Sequence, residues 1–370
     1  MMKTVAVIGL GTMGLGLAQV YAAAGFKVLA TDADPQSRNS AHQRLAVNLK
    51  ARIALGKISS EECDAILSNI TVVQNVDAIK SAHLVIEAII ENLSAKQNLI
   101  MEIERVVESN TIIATNTSSL SIKSIANQAK YPERVLGLHF FNPAPVMKLV
   151  EIVPHANTST DAVNFAHEIT KSTGKIIVRS PDRPGFIVNR CARPFYGEAL
   201  AMLEEGRHPN EIDAAIVAAG YRIGPFQLID LIGADINFAA TQGIYDAMNK
   251  HPRYHPFPSL KRKVDIGELG RKSGKGFVFP NSLGHPPKDV ELIVLRIEAT
   301  LVNEAAWLLH EGGVSSSDID IAMKLGMNFP RGPFEMLKLH GSQKIRDQLS
   351  FLEESTKLAG RYIPSPTLGD

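Results

Sequence analysis

The sequence predicts an α/β fold, a doubly wound sheet of parallel strands, followed by an all-α region that contains two copies of a helical unit. Three observations carry this. A glycine-rich turn joins a short apolar run to an Ala-rich helix near the start. Further apolar runs then alternate with helical patterns. After Pro184 a helical pattern recurs at an offset of about 106 residues. The boundaries expected are 1–183 for the sheet domain, 184–284 for the first helical domain and 285–370 for the second.

The elements follow in order. Val5-Ala6-Val7-Ile8 is a short apolar run of the buried parallel type. Residues 15–24 read as a helix ended by Gly25 in a left-handed cap, and Lys27-Val28-Leu29-Ala30-Thr31 is the next strand, finishing at Asp32. Residues 4–26 carry no charge and Ala22-Ala23-Ala24 imitates a cleavage site, which raises the alternative of a signal peptide or anchor. Five glycines (Gly9, Gly11, Gly14, Gly16, Gly25) would weaken a continuous hydrophobic helix, and each has a task in strand, turn and helix. Further strands are expected at Ile70-Thr71-Val72-Val73, Leu84-Val85-Ile86-Glu87 and Thr111-Ile112-Ile113-Ala114-Thr115, with helices at 92–107 and 121–129.

The chain has 370 residues, enough for two or three domains, and 45% hydrophobic against 21% charged residues places it among soluble globular proteins. A formal net charge of +1 gives no sign of a surface for nucleic acid or membrane. Two cysteines, Cys63 and Cys191, cannot build a disulfide framework or a zinc site by themselves. A reducing, cytoplasmic location and no metal are therefore expected.

Gly9-Leu10-Gly11-Thr12-Met13-Gly14 matches G-x-G-x-x-G after a strand and at the opening of a helix, the context of a Rossmann-type dinucleotide site. Gly9 permits the tight turn, Gly11 lets the backbone approach a pyrophosphate, and Gly14 lets helix and strand lie close. The helix start at Thr12 and Met13 offers N–H groups and a positive dipole end. Asp32, 18 residues after Gly14, can accept from ribose hydroxyls and would repel a 2′-phosphate, which favours NAD over NADP.

Chemistry concentrates in Gly137-Leu138-His139-Phe140-Phe141-Asn142-Pro143-Ala144-Pro145. His139, beside two aromatic residues and a Pro-x-Pro, is locally immobilised and kept neutral by partial burial. Glu151 interrupts the apolar alternation of Met147-Lys148-Leu149-Val150-Glu151-Ile152-Val153. A carboxylate so placed pairs with something or costs several kcal/mol on burial. His139, twelve residues back, is the nearest sensible partner, and that spacing is enough for a turn and return that puts both on adjacent segments. A carboxylate on one ring nitrogen fixes the other as a base.

With these segments the chain resembles the NAD-dependent L-3-hydroxyacyl-CoA dehydrogenase family, and its 3-hydroxybutyryl-CoA dehydrogenase-like members, over nearly its whole length. The resemblance rests on the glycine turn, Glu87-Ala88-Ile89-Ile90-Glu91-Asn92-Leu93, Thr115-Asn116-Thr117-Ser118-Ser119-Leu120, His139-Phe140-Phe141-Asn142-Pro143, Leu149-Val150-Glu151-Ile152 and Asp182-Arg183-Pro184-Gly185-Phe186-Ile187-Val188-Asn189-Arg190. It implies an oxidoreductase that interconverts (S)-3-hydroxyacyl-CoA and 3-oxoacyl-CoA, with His139 as the base and Glu151 orienting it. It further implies that Ser118 and Asn189 bind the reacting oxygen, and that Glu91, Lys96 and Asn142 lie along the nicotinamide side of NAD. Lys272, in Lys272-Ser273-Gly274-Lys275-Gly276-Phe277, would reach the NAD. Lys50 occupies the position closest to the substrate phosphates, on a helical stretch that also carries Arg44, Arg52 and Lys57.

The helical half is written twice. Glu198-Ala199-Leu200-Ala201-Met202-Leu203-Glu204-Glu205-Gly206 parallels Glu304-Ala305-Ala306-Trp307-Leu308-Leu309-His310-Glu311-Gly312, and Gly224-Pro225-Phe226 parallels Gly332-Pro333-Phe334. Asn189 aligns with Leu295, so one active site per chain is expected. A monomer with an internal pseudo-dimer, or a homo-oligomer, follows. Two other readings compete: a small-hydroxy-acid dehydrogenase of the 3-hydroxyisobutyrate type, which the His139–Glu151 unit disfavours, and a non-catalytic NAD(H)-binding sensor.

Overall fold

Apolar runs become the strands of one eight-stranded sheet, buried along its centre, in a computed structural model that describes residues 3–281 and 283–369. The chain divides into two units, Met1–Arg183 and Pro184–Asp370. In the first unit the strands are β1 (Thr4–Ile8), β2 (Lys27–Thr31), β3 (Ile70–Val72), β4 (Leu84–Glu87), β5 (Ile112–Thr115), β6 (Val135–Phe140), β7 (Leu149–Val153) and β8 (Ile176–Arg179). Their order is β3-β2-β1-β4-β5-β6-β7-β8, with the connections diverging on either side of the β1–β4 pair. The helices are α1 (Thr12–Ala23), α2 (Pro35–Ala54), α3 (Ser60–Ser68), α4 (Leu93–Val106), α5 (Ile122–Ala126) and α6 (Thr160–Lys171).

All five residues of β1 are buried, and their period of two sends Val5 and Val7 into one core and Ala6 and Ile8 into the other. Val5 and Val7 share their core with Leu17 and Tyr21 of α1, Leu45 of α2 and Ile169 of α6. Ala6 and Ile8 share theirs with Ile100 and Ile103 of α4 and Ile125 of α5. Parallel pairing breaks once: β7 turns back antiparallel beside β6, with His139 opposite Glu151, as the twelve-residue spacing led one to expect. An eight-residue connection is too short for a helical crossover, so the chain turns back. Helix 121–129 is also shorter than its pattern, because Ser121 caps α5 and the helix ends at Ala126. Lys57 lies beyond the last turn of α2, not on the helix.

The second unit is helical: α7 (Val188–Cys191), α8 (Arg193–Glu204), α9 (Pro209–Ala218), α10 (Pro225–Ile232), α11 (Ala234–Ala247), α12 (Pro258–Asp265), α13 (Val290–His310), α14 (Ser316–Gly326), α15 (Pro333–His340) and α16 (Ser342–Ser355). Helix α10 starts at a Gly-Pro corner where Asp213 of α9 accepts from the N–H groups of Phe226 and Gln227 at 2.9 and 2.7 Å. A Cβ on Gly224 would meet the Asp213 side chain at 2.3 Å, so only glycine fits there. The start of α15 has the same construction: Asp320 of α14 accepts from Phe334 N–H at 2.8 Å, and a Cβ on Gly332 would meet Asp320 at 2.3 Å.

Long α13 runs through the unit with thirteen buried residues, among them Glu298 and Glu304. Glu304 is fully engaged, by Arg190 (2.6 Å), Arg253 (2.9 Å) and Tyr254 (2.5 Å), and Arg190 also forks onto Glu311 at 2.7 Å. Glu198 of α8, equally buried, is held by Arg296 (3.1 Å), Arg361 (2.8 Å) and Tyr362 (3.1 Å), and Arg296 forks onto Glu205 at 2.6 and 2.8 Å. Buried charges persist when paired and bidentate, as these are. No helix among the described residues is long and apolar enough to cross a membrane.

Candidate active site

Strand β1 ends at Ile8, and the chain must reverse at once into α1. Gly9 does so at φ +95°, donating its N–H to Thr31 at 2.8 Å, and a Cβ there would strike Ala88 O at 2.6 Å. A Cβ on Gly14 would lie 1.6 Å from Gly9 O, so the helix sits as close to the strand as a backbone allows. Gly11 is different: it is exposed, and a Cβ there would meet nothing within 4 Å. It caps α1 with no side chain, so the first-turn N–H groups around Thr12 and Met13 face outward with their partial positive charge. An open, uncapped cradle beside two sterically closed glycines fits a pyrophosphate.

Asp32 ends β2 with its Oδ2 accepting Leu10 N–H at 2.6 Å and its Oδ1 accepting Asp34 N–H at 2.8 Å. The acid therefore also shapes the glycine turn, a task its sequence position did not announce. Each carboxylate oxygen keeps a second lone pair for a ribose hydroxyl. Arg38 donates to the Asp32 carbonyl at 2.6 Å.

At the carboxyl end of β4, Glu87, Lys96 and Glu91 form a chain of charges. Lys96 of α4 is 1% exposed and donates to both oxygens of Glu87 at 2.9 Å, with Glu91 at 3.4 Å from its ammonium. Thr115 donates to the same Glu87. Lys96 is thus the buried counter-ion of Glu87. Glu91 Oε1 gathers the Thr117 hydroxyl (2.5 Å), the Ser119 hydroxyl (2.8 Å) and the N–H groups of Ser118 (3.1 Å) and Ser119 (3.2 Å). Burial pushes the Glu91 carboxyl up, but those donors and the Lys96 ammonium outweigh it and hold it below the ordinary range. Ser118 is exposed on this loop, and Ser121 takes the capping role for α5.

The β6–β7 pairing sets His139 directly opposite Glu151, and Nδ1 of the ring lies 2.5 Å from the carboxylate. Glu151 is fully buried and His139 is 5% exposed. A carboxylate accepts only, so Nδ1 carries the hydrogen and Nε2 is the nitrogen with a lone pair for a proton. Phe141 packs against the imidazole with centroids 4.5 Å apart, and Asn116 Oδ1 accepts Phe140 N–H at 3.0 Å, fixing the strand end. Asn142, exposed, precedes a cis proline peptide. Lys175 was not picked out by sequence reasoning: its ammonium is buried and donates to the carbonyls of Ala144 (2.6 Å) and Met147 (2.7 Å), closing the loop that follows His139. Burial, with Arg52 nearby, pushes Lys175 down to about 8.

Lys50 is exposed on α2, whereas Arg44 lines, with Thr12 and Leu15, a cleft of about 450 Å³ beside the glycine turn. Asn189 and Lys272 belong to the second unit. Asn189 is half-buried in α7, with its carbonyl accepting Arg193 Nε at 2.9 Å. Lys272 pairs with Asp235 at 2.6 Å.

Family comparisons agree along the chain. The NAD-binding domain of 3-hydroxyacyl-CoA dehydrogenase matches residues 4–183. The C-terminal domain of 3-hydroxyacyl-CoA dehydrogenase matches residues 185–279 and again 292–368. A 3-hydroxyadipyl-CoA dehydrogenase of Escherichia coli (strain K12) is 45% identical over 276 residues, 74% of this chain and 58% of that relative's length. The human mitochondrial hydroxyacyl-coenzyme A dehydrogenase is 39% identical over 290 residues, 74% of this chain and 90% of that one. A crystal structure of 3-hydroxybutyryl-CoA dehydrogenase from Escherichia coli K12 substr. MG1655 superposes with TM-score 0.92 at 33% identity, covering 100% of this chain and 98% of that one.

Proposed function

We propose, for a chain that belongs to the 3-hydroxyacyl-CoA dehydrogenase family, that His139 takes the 3-hydroxyl proton of an acyl-CoA thioester while Glu151 holds the ring. The chain is an NAD-dependent oxidoreductase that interconverts 3-hydroxyacyl-CoA and 3-oxoacyl-CoA, the alcohol-to-ketone step of fatty-acid β-oxidation. The observation that carries the mechanism is the 2.5 Å contact between His139 Nδ1 and buried Glu151. With Nδ1–H committed to the carboxylate, Nε2 accepts the proton, and the adjacent negative charge stabilises the imidazolium. Ser118 and Asn189 hold the reacting oxygen as uncharged donors, equally suited to alcohol and ketone. Gly9, Gly11, Thr12, Met13 and Gly14 cradle the pyrophosphate, and Asp32 holds the adenosine ribose. Glu91, Lys96 and Asn142 lie along the nicotinamide side, and Lys272 reaches the same cofactor. NAD, when bound, supplies the two-electron chemistry by taking up the hydride. Lys50, with Arg44 and Arg52, meets the phosphates of coenzyme A.

The helical region is a duplicated unit forming a pseudo-dimer inside one chain, with domains 1–183, 184–284 and 285–370. Support comes from the two separate matches of one C-terminal family domain and from reciprocity. Glu198 is bound by Arg296, Arg361 and Tyr362, and Glu304 by Arg190, Arg253 and Tyr254. This is the pattern of an isologous interface, in which i meets j and j meets i. The chain works as a monomer through that surface.

Turnover of acetoacetyl-CoA with NADH tests the activity. The H139Q variant should lose about 10²–10⁴-fold in kcat. Wild-type kcat in H139Q would remove His139 from the chemistry.

A further inference from the structure

Four arginines are buried among the described residues: Arg134, Arg190, Arg193 and Arg361. Arg134 meets Glu104 at 3.4 Å, Arg190 meets Glu304 and Glu311, and Arg361 meets Glu198. Arg193, 7% exposed, has no carboxylate partner among the described residues. Its Nε donates to the Asn189 carbonyl at 2.9 Å, its Nη1 to the Thr241 hydroxyl at 3.0 Å, and its guanidinium lies 4.9 Å from the Tyr196 ring centroid. Removing a cation from water without a counter-charge costs several kcal/mol. The neighbouring arginines show that this unit otherwise supplies carboxylates freely.

A second observation stands beside it. Asn237 of α11 is 1% exposed, and neither its amide nitrogen nor its amide oxygen has a hydrogen-bond partner among the described residues. It lies one turn before Thr241, whose hydroxyl also donates back to the Asn237 carbonyl at 2.8 Å. Asn237 therefore shares a helix face with the group that Arg193 touches. An unmatched guanidinium and an unsatisfied amide N–H converge on one helix face, which is the donor set for a carboxylate. Arg193 also sits one turn after Asn189, the residue proposed to hold the substrate's 3-oxygen.

We propose that Arg193, with Asn237 and Thr241, receives a carboxylate at the far end of the acyl chain, so that the preferred substrates are ω-carboxyacyl (dicarboxylic) CoA thioesters. This rests on the dehydrogenase reading above. The substrate then supplies the charge that the protein withholds. An uncharged acyl tail leaves both groups unsatisfied, so discrimination is built from desolvated polar groups rather than from pocket size.

The test measures kcat/KM for 3-oxoadipyl-CoA and for its uncharged analogue 3-oxohexanoyl-CoA, both with NADH. The wild-type enzyme should prefer the dicarboxylic thioester by at least about tenfold, the effect of one charged hydrogen bond. In R193M that preference ratio should fall by at least about tenfold, toward parity, mostly through KM. R193K should recover part of it, and N237L should lower it independently of Arg193's own packing. Wild-type enzyme that reduces both thioesters equally, or a ratio unmoved in R193M, R193K and N237L, overturns this proposal and leaves the dehydrogenase reading standing. Failure to reduce either thioester overturns both together.

Discussion

Glu151 is a costly side chain to place, a carboxylate with no exposed surface in the middle of a strand. Its position is sustained by the imidazole opposite it, and this gives a sharp expectation for E151Q. The substitution is close to isosteric but removes the charge, so the imidazolium formed on proton transfer loses its partner. By analogy with removal of the buried acid in a catalytic triad, kcat should fall on the order of 10³–10⁴-fold. NADH binding, read by fluorescence, should persist, because the glycine turn makes no use of Glu151. An E151Q enzyme with wild-type kcat would reduce the pair to a structural contact. The pairing was partly legible from a charged residue in an apolar alternation with a histidine twelve residues back. What was not legible is that Asn116 holds the end of the ring's strand and Phe141 packs on the imidazole, since both lie in the quoted motifs without a spacing that shows what they touch.

At the scale of elements, loop and strand ends are set by polar groups reaching across the sequence. Asp182 caps α5 from 60 residues away by accepting Ile122 N–H at 2.8 Å. Lys175 closes the 144–147 segment in the same manner. Its stability contribution has a definite sign. Burial lowers the folded-state value from 10.5 to about 8, so between those limits the unfolded chain binds more protons than the folded one. The penalty of holding the ammonium is full below pH 8 and fades as pH rises toward 10.5. Urea unfolding of wild type against K175M should therefore show the wild-type stability climbing, relative to the variant, by up to about 3 kcal/mol across that window. Parallel pH profiles for the two proteins would contradict this assignment. Strand β4 and helix α4 were read to within a residue, because period and caps are local. The short α5 was overestimated, since its end depends on packing rather than on pattern.

For the molecule as a whole, the clusters around Glu198 and Glu304 are the test of the proposed duplication, because each gathers two arginines and a tyrosine on one buried carboxylate. E198Q leaves Arg361 and E304Q leaves Arg253 without a carboxylate, while Arg296 and Arg190 keep Glu205 and Glu311, and each substitution should cost about 3–5 kcal/mol in chemical unfolding. The near-equality of the two losses is the diagnostic feature of an internal two-fold relation. Light scattering on the wild-type protein should accompany these measurements and give the mass of a single chain. A strongly unequal pair of losses, or an obligate dimer held through helices of 184–284, would show that the copies do not substitute for a partner subunit.

The glycine turn, the acid at the end of β2, the strand–helix alternation and the repeated Gly-Pro corner were determined by the sequence alone, because each depends on sterics and hydrogen bonding within a few residues. The tertiary structure decided the rest. It paired Lys96 with Glu87 out of water, it set the Lys175 ammonium on the carbonyls of Ala144 and Met147, and it left Arg193 as the one buried arginine, among those described, without an acid. Each of these depends on which distant charges meet out of water, and burial, not local pattern, sets that cost.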